Sequence, residues 1–436
     1  MQPHEALNKG VLFEQGTHVL RREGVTINDR TACYFIPGRL EFLGKHTDYC
    51  GGRSLLCTVE RGLCFVVQPR EDNMIRMILT ESGETCSFSI HSDLQPKEGA
   101  WSNYPMTVAR RLARNFSGPH RGADIAFASD LPQAAGMSSS SAIVVGMWMI
   151  LNDINHYDQT DVFQQNIRSQ DDLAGYLGCH ENGQSFRSLE GDKGVGTFGG
   201  SQDHTAILFS QPKAIVQYGF CPVHHEATIP FDNEQTIIIG TCGVMAEKTR
   251  DAKEKYNKAS LLARQLISLW HEHVGQKEET LAAIVRSKPN AQQQLHEVIS
   301  SRSIDDTKKI ALIARLDQFC EESEVIIPTV SRLLEKNGAT QIGKYVDRSQ
   351  FLTTHLLKNQ IPQTTYLATS ARKLGATAAS AFGAGFGGSV WAMVPEDRAK
   401  SFMQQWREDY TTHEPRVSQD AIFFMTHAGP AATRLI

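Results

Sequence analysis

The apolar positions of the chain alternate with polar ones in some stretches and run together in others. Residues 1–30 predict a short helix and a polar connection, and Thr31–Gly38 (TACYFIPG) predicts a strand closing in a Pro-Gly turn. Leu55–Thr58, Leu63–Gln68, Met74–Leu79 and Cys86–Ile90 are short runs whose alternation predicts an antiparallel or mixed sheet. A helix is expected from Trp101 to about Asn115. The continuous apolar runs Ala123–Ala128 and Ile143–Leu151 predict a buried strand and a buried helix. Further along, Asp171–Asn182 predicts a helix, Ala206–Tyr218 a sheet-like run, and Thr236–Gly240 (TIIIG) a buried strand. Ala246–His271 predicts a long helix, residues 277–337 several helices, and Gln363–Leu374 another. Gly375–Val394 predicts a glycine-rich turn followed by a strand. Two domains are expected, 1–220 and 221–436, with the boundary near Phe220.

Composition narrows the class. A chain of 436 residues has room for two or three domains and a sizeable core. With 41% hydrophobic and 21% charged residues and a net charge of −4, nothing pulls it towards nucleic acid or an anionic membrane. Its nine cysteines are odd in number and scattered without a C-x-x-C pair, which argues against a disulfide framework or structural zinc. The N-terminus has no signal-peptide pattern, and no apolar run approaches the ~20 residues that span a bilayer. A cytoplasmic protein is expected, a monomer or weak homo-oligomer. His296, His355 and most other histidines lack metal-ligand spacing.

The chemistry concentrates in a few loops. Leu131–Ala142 (LPQAAGMSSSSA) joins the buried strand to the buried helix. A strand, a small-residue turn and a helix start form an anion site: Gly136 lets the backbone approach closely, and Ser138, Ser139 and Ser140 sit where free N–H groups and the positive helix end gather. The plainer reading is a serine-rich helix cap. No Walker A loop is present. Arg39–Gly52 packs Arg39, Glu41, Lys45, His46 and Asp48 between glycines, as a binding loop or a solvated hairpin would.

The pattern L-P-x-A-x-G-M-S-S-S-S-A resembles the phosphate loop of the GHMP kinases, and P-G-R-x-x-x-x-G-x-H-T-D-Y-x-G-G resembles the sugar signature of the galactokinases. The usual signature has Asn where this chain has Glu41 and an acidic residue where it has Lys45. The chain is similar to the family in three ordered motifs across about residues 35–394. The resemblance implies an α+β, two-domain GHMP kinase fold: an N-terminal domain like ribosomal S5 domain 2, a ferredoxin-like C-terminal domain, and the active site between them. It implies an ATP-dependent sugar 1-kinase using ATP and Mg²⁺, with galactose the leading substrate. By the same resemblance Asp203, in Thr197–His204, is the catalytic carboxylate with Arg39 beside it. Lys45, His46, Asp48, Gly200 and Tyr256 contact sugar. Trp101, Tyr104, Gly136, Ser138, Ser139 and Ser140 bind ATP, and Ser140 and Glu181 hold Mg²⁺. Gly383, Gly385, Gly387 and Gly388 form the third motif, which supports the phosphate loop. His204 stands where Gln is usual.

Taken singly, several of these residues have plainer readings: Asp203 as a helix cap, Tyr256 as a surface tyrosine, Trp101 and Tyr104 as a helix anchor. Lys45 leaves two readings open. Either it faces a C6-altered sugar such as galacturonate, or it turns away, paired with Glu41 four residues earlier if that segment is helical. The motifs also leave room for another GHMP kinase, acting on mevalonate or homoserine, and for a non-catalytic sugar sensor. Residues 183–194, polar and glycine-bearing, are expected to be a mobile loop.

Overall fold

The computed structural model describes residues 1, 3–97, 99–133, 135–231, 234–244, 250–275 and 278–435. Its strands are β1 (Ala32–Leu43), β2 (Arg53–Pro69), β3 (Met74–Leu79), β4 (Thr85–Ser89), β5 (Ala123–Ser129), β6 (Ala214–Gly219), β7 (His224–Pro230), β8 (Gln235–Thr241), β9 (Ala378–Phe382), β10 (Ser389–Pro395), β11 (Phe423–Thr426) and β12 (Thr433–Arg434). The first sheet runs β12-β1-β2-β5-β3-β4, with β6 also on β2 and β7 on β6. It is mixed, since β3 and β5 run parallel while the other pairs are antiparallel. The two runs expected at 55–58 and 63–68 merge into the single strand β2. Along the edge away from β1 its first part pairs with β6 and its second with β5, so one long strand serves two neighbours on that edge.

The second sheet is antiparallel, in the order β11-β8-β10-β9. Strand alternation divides its side chains between two cores. Ile238, Val390, Ala392 and Val394 pack beneath the helices Pro362–Lys373 and Ala399–His413. Ile237, Ile239, Trp391 and Met393 point the other way and share a core with Leu40, Phe42 and Leu55 of the first sheet. Phe42 stacks on Trp391 with ring centroids 4.1 Å apart. The helices between 250 and 320 gather around Leu266, Trp270, Leu316 and Phe319, and Cys50 from the turn after β1 joins that cluster.

Several expectations meet a different outcome. The N-terminal helix is long, Pro3–Arg22. The run at 206–218 divides: Gln202–Phe209 is helical and only Ala214–Gly219 is strand. A short apolar run cannot distinguish a buried helix from a strand, and Ala206 and Ile207 are fully buried here on a helix. A strand, β9, precedes the glycine turn, and the expected strand, β10, follows it. The long helix is described over Arg250–Val274, and the first residues of the expected span, 246–249, lie outside the described residues. Residues 183–194 are tied down. Arg110 donates to Asp192 at 2.7 Å with both side chains buried, Arg111 donates to the Gln184 carbonyl at 2.8 Å, and Leu189 is in the core. The β6–β7 hairpin straddles Phe220 and belongs to the first sheet. We therefore propose that the domains divide after Phe231, the C-terminal strand β12 returning to the first sheet.

Candidate active site

A cleft opens where the loops after β1, β5 and β9 meet the start of the helix Gln202–Phe209. Alternation along β1 turns Leu40 and Phe42 into the core, and Arg39 and Glu41 line the cleft from the other face. Arg39 is the bracket between the loops. Its Nε donates to Asp203 Oδ1 at 2.6 Å, its Nη1 to the Gly136 carbonyl at 2.6 Å, and its backbone N–H to the Met137 carbonyl at 3.2 Å. Ser138 Oγ donates to the other Asp203 oxygen. Burial alone would raise the Asp203 pKa. The Arg39 guanidinium and the Ser138 hydroxyl outweigh it and hold the carboxyl below the usual range, so Asp203 is ionised at neutral pH.

The serine loop has the backbone that close approach requires. Gly136 and Ser138 have φ of 74° and 57°, and the helix Ser139–Asn155 starts immediately after. The first N–H groups of that helix have no intrahelical acceptor. Behind the loop, Ser389 Oγ donates to the Ala135 carbonyl at 2.6 Å, so the glycine-rich motif supports the serine loop.

Across the cleft, Asp48 Oδ2 accepts from the Gln202 N–H at 3.2 Å, and burial pushes its carboxyl up. His46 lies between the Tyr49 hydroxyl (2.8 Å from Nδ1) and the Ala384 carbonyl (3.3 Å from Nε2). A carbonyl only accepts, so Nε2 carries the proton and Nδ1 accepts from Tyr49. Burial, then the nearby Arg315 cation, pull the His46 pKa down to about 4, and the ring is neutral. Its ring centroid is 5.1 Å from that of Tyr256, which also lines the cleft. Gly200 is packed against Asp48 too tightly for any side chain. Glu181 Oε1 accepts from Ser141 Oγ at 2.6 Å, and His204 Nε2 lies 3.3 Å from the same oxygen but too poorly aligned to bond it.

Arg39, His46, Asp48, Gly136, Ser138, Ser139, Ser140, Glu181, Gly200, Asp203 and Tyr256 are thus brought together around one cleft. Lys45, Trp101 and Tyr104 do not line it. Lys45 is buried and donates from Nζ to Ser349 Oγ at 3.1 Å. Glu41 lies on a strand, so the helical spacing that would pair it with Lys45 does not arise, and no ion pair joins them among the described residues. Trp101 packs on Phe127 with ring centroids 5.4 Å apart, and Tyr104 packs on the same core, as anchors of the helix Asn103–Asn115.

One set of residues was not singled out in the sequence. Helix Asp306–Cys320 continues into a π-helical segment, Glu321–Ile326. From this face Arg315 donates to the His46 carbonyl at 2.5 Å, Gln318 to the Lys45 carbonyl at 3.1 Å, and Glu322 accepts from the Gly44 N–H at 2.9 Å. Three consecutive backbone groups of the loop are held by side chains at spacings of three and four residues. Polar residues on the buried face of a half-exposed helix were the available signal.

Three family descriptions match in chain order: the galactokinase galactose-binding signature at residues 26–69, the GHMP kinases N terminal domain at 103–179, and the GHMP kinases C terminal domain at 330–412. The chain belongs to the galactokinase family of the GHMP kinase superfamily. Family members named galactokinase run nearly its full length: one from Enterococcus faecalis is 24% identical over 93% of this chain and 95% of its own. Another, from Clostridium beijerinckii, is 27% identical over 88% and 90%. The fold agrees with that of the Lactococcus lactis galactokinase complexed with galactose, at TM-score 0.79 and 20% identity over 97% of this chain and 99% of that one. The Methanococcus jannaschii mevalonate kinase shares the fold more distantly, at TM-score 0.55 and 15% identity over 92% and 99%. The two-domain α+β architecture expected of a galactokinase-family protein is the one found. No described helix is long and apolar enough to cross a membrane.

Proposed function

We propose that this chain is an ATP-dependent galactokinase that phosphorylates the anomeric hydroxyl of galactose. The observation that carries the reading is the Arg39–Asp203–Ser138 constellation, an ionised carboxylate clamped between the serine loop and the polar loop bearing His46 and Asp48.

Phosphoryl transfer asks the protein for positioning and charge neutralisation more than for covalent chemistry. Asp203 accepts the proton of the attacking hydroxyl, and Arg39 holds that carboxylate ionised and stabilises charge on the transferring oxygens. N–H groups around Gly136–Ser140, at a helix start, hold the ATP phosphates. Asp48 hydrogen-bonds sugar hydroxyls and Gly200 keeps it in place, while the neutral His46 ring donates its Nε2–H to a hydroxyl only by giving up its 3.3 Å contact with the Ala384 carbonyl. Mg²⁺ bound through one or two protein oxygens, phosphates and water suits the donors present: buried Glu181 beside the serine loop, with Ser140 and Ser141. When bound it neutralises phosphate charge. Among the described residues there is no cluster of three or more His, Cys, Asp or Glu that could hold a metal by itself.

The burial of Lys45 outside the cleft removes the reason to prefer a C6 carboxylate, so galactose leads over galacturonate. The test is ADP release from ATP and Mg²⁺ across galactose, galacturonate, arabinose, N-acetylgalactosamine and heptoses. Turnover highest on galactose supports the reading. Tight binding of galactose and ATP without turnover would identify a sensor instead.

A further inference from the structure

Glu41 has no role in the chemistry above, yet it sits in the same cleft. Its side chain is 3% exposed. One carboxyl oxygen, Oε2, accepts from the Gln202 amide nitrogen at 2.9 Å. The other, Oε1, is fully buried and has no hydrogen-bond partner among the described residues. A buried carboxyl oxygen left unpaired is costly, so a donor is to be expected from whatever fills the space beside it. Gln202 is fixed at both ends of its amide. Its Oε1 accepts from Ser54 Oγ at 2.6 Å, its Nε2 faces Glu41, and its backbone N–H donates to Asp48. Glu41 and Asp48 are therefore held by one residue, with Asp203 next in the chain. Burial pushes the Glu41 carboxyl up to about 7 against the pull of Arg39, Lys45 and Gln202, and a hydrogen bond donated to Oε1 would draw it back down.

We propose that Glu41 is a specificity-determining residue of the sugar site, its unpaired Oε1 accepting a hydrogen bond from one hydroxyl of the bound sugar. The inference rests on the sugar-kinase reading of this cleft. It places sugar recognition on β1 itself, two residues from Arg39, as well as on the loop that follows. Lys45, buried behind the loop, then serves as a nearby countercharge to Glu41 and not as a sugar ligand.

The chemistry of Glu41→Gln makes the test specific. Gln202 presents its NH₂ to position 41, so a glutamine there must turn its own carbonyl towards Gln202 and offer NH₂ to the sugar. An acceptor becomes a donor at nearly constant shape. kcat/KM is measured for wild type and Glu41→Gln on galactose and its 2-, 3-, 4- and 6-deoxy analogues. Thermal unfolding and binding of a non-hydrolysable ATP analogue establish that the variant is folded. In the wild type, one deoxy analogue should lose about tenfold or more against galactose. In Glu41→Gln, galactose should fall by at least about tenfold, and the penalty for that one analogue should shrink to within about threefold. Equal losses across the whole panel would overturn the proposal, because they would mean that Glu41 only positions Gln202. So would an unchanged panel. Should Glu41→Gln fail to fold, Glu41→Asn, whose shorter side chain withdraws from the cleft, is measured with the same sugars and judged by the same two outcomes. A wild-type protein that turns over none of the sugars would instead refute the kinase reading on which the inference stands.

Discussion

Adding a single methyl group at Gly200 probes the join between the sugar loop and the catalytic carboxylate. The backbone there does not require glycine, since its φ lies outside the left-handed region, so Gly200→Ala is a steric change and little else. The new Cβ would stand 2.7 Å from Asp48 Cγ and 2.9 Å from the Tyr49 nitrogen. Ordinary carbon contacts lie at about 3.5–4.0 Å, so the Asp48 carboxyl must retreat by about 1 Å. That movement breaks its 3.2 Å bond from the Gln202 N–H, a charge-assisted contact of about 1.5–3 kcal/mol. A binding group misplaced by about 1 Å costs about 100-fold in rate, or about 2.7 kcal/mol. The two routes agree. Galactose kcat/KM should fall by about 100-fold, while the KM for ATP stays within about twofold, because the serine loop is untouched. Steady-state kinetics with each substrate varied in turn, together with calorimetric binding of nucleotide, provides the check. A folded Gly200→Ala protein with wild-type galactose KM and kcat would refute the placement of sugar against Asp48. Equal losses for both substrates would show a general disturbance instead.

Three further outcomes are expected. Asp203→Asn should lower kcat by about 10²–10⁴ while nucleotide affinity holds, and near wild-type kcat would remove Asp203 as proton acceptor. Arg315→Met should raise the KM for galactose with kcat little changed, because Arg315 clamps the His46 carbonyl from a neighbouring helix, and Arg315→Lys should recover part of the loss; a fall in kcat alone would contradict this positioning role. The Glu41 carboxyl, raised to about 7 in the fold from 4.5, contributes stability below pH 4.5 that is lost as pH rises through 7, about 3 kcal/mol in all. In the sugar-free protein the unfolding free energy of wild type should therefore fall by that amount between pH 4.5 and pH 7 relative to Glu41→Gln, and a pH-independent difference would show that burial does not raise the Glu41 carboxyl.

Contiguous patterns carried much of this protein. The strand–serine-loop–helix unit at 123–155 and the chemistry-bearing loop at 39–52 are local: their chemistry follows from turn residues, helix-end N–H groups and apolar runs within about thirty residues of sequence. The resemblance likewise placed Arg39 beside Asp203, although they lie far apart in the chain, but it gave Ser138 to the nucleotide and did not foresee its hydroxyl on Asp203. Where a single residue points was another matter. Lys45 carries the same charge whether it faces the cleft or Ser349, and only the packing of helix Gly343–Leu352 against the loop decided it. The β6–β7 hairpin, the clamp of Arg315, Gln318 and Glu322, and the support of Ala135 by Ser389 are contacts between segments hundreds of residues apart or joined only by sheet pairing. Local periodicity records which face of an element is buried, but not which partner buries it. That choice is made by long-range packing, and here it placed Glu41 in the cleft and Lys45 behind it.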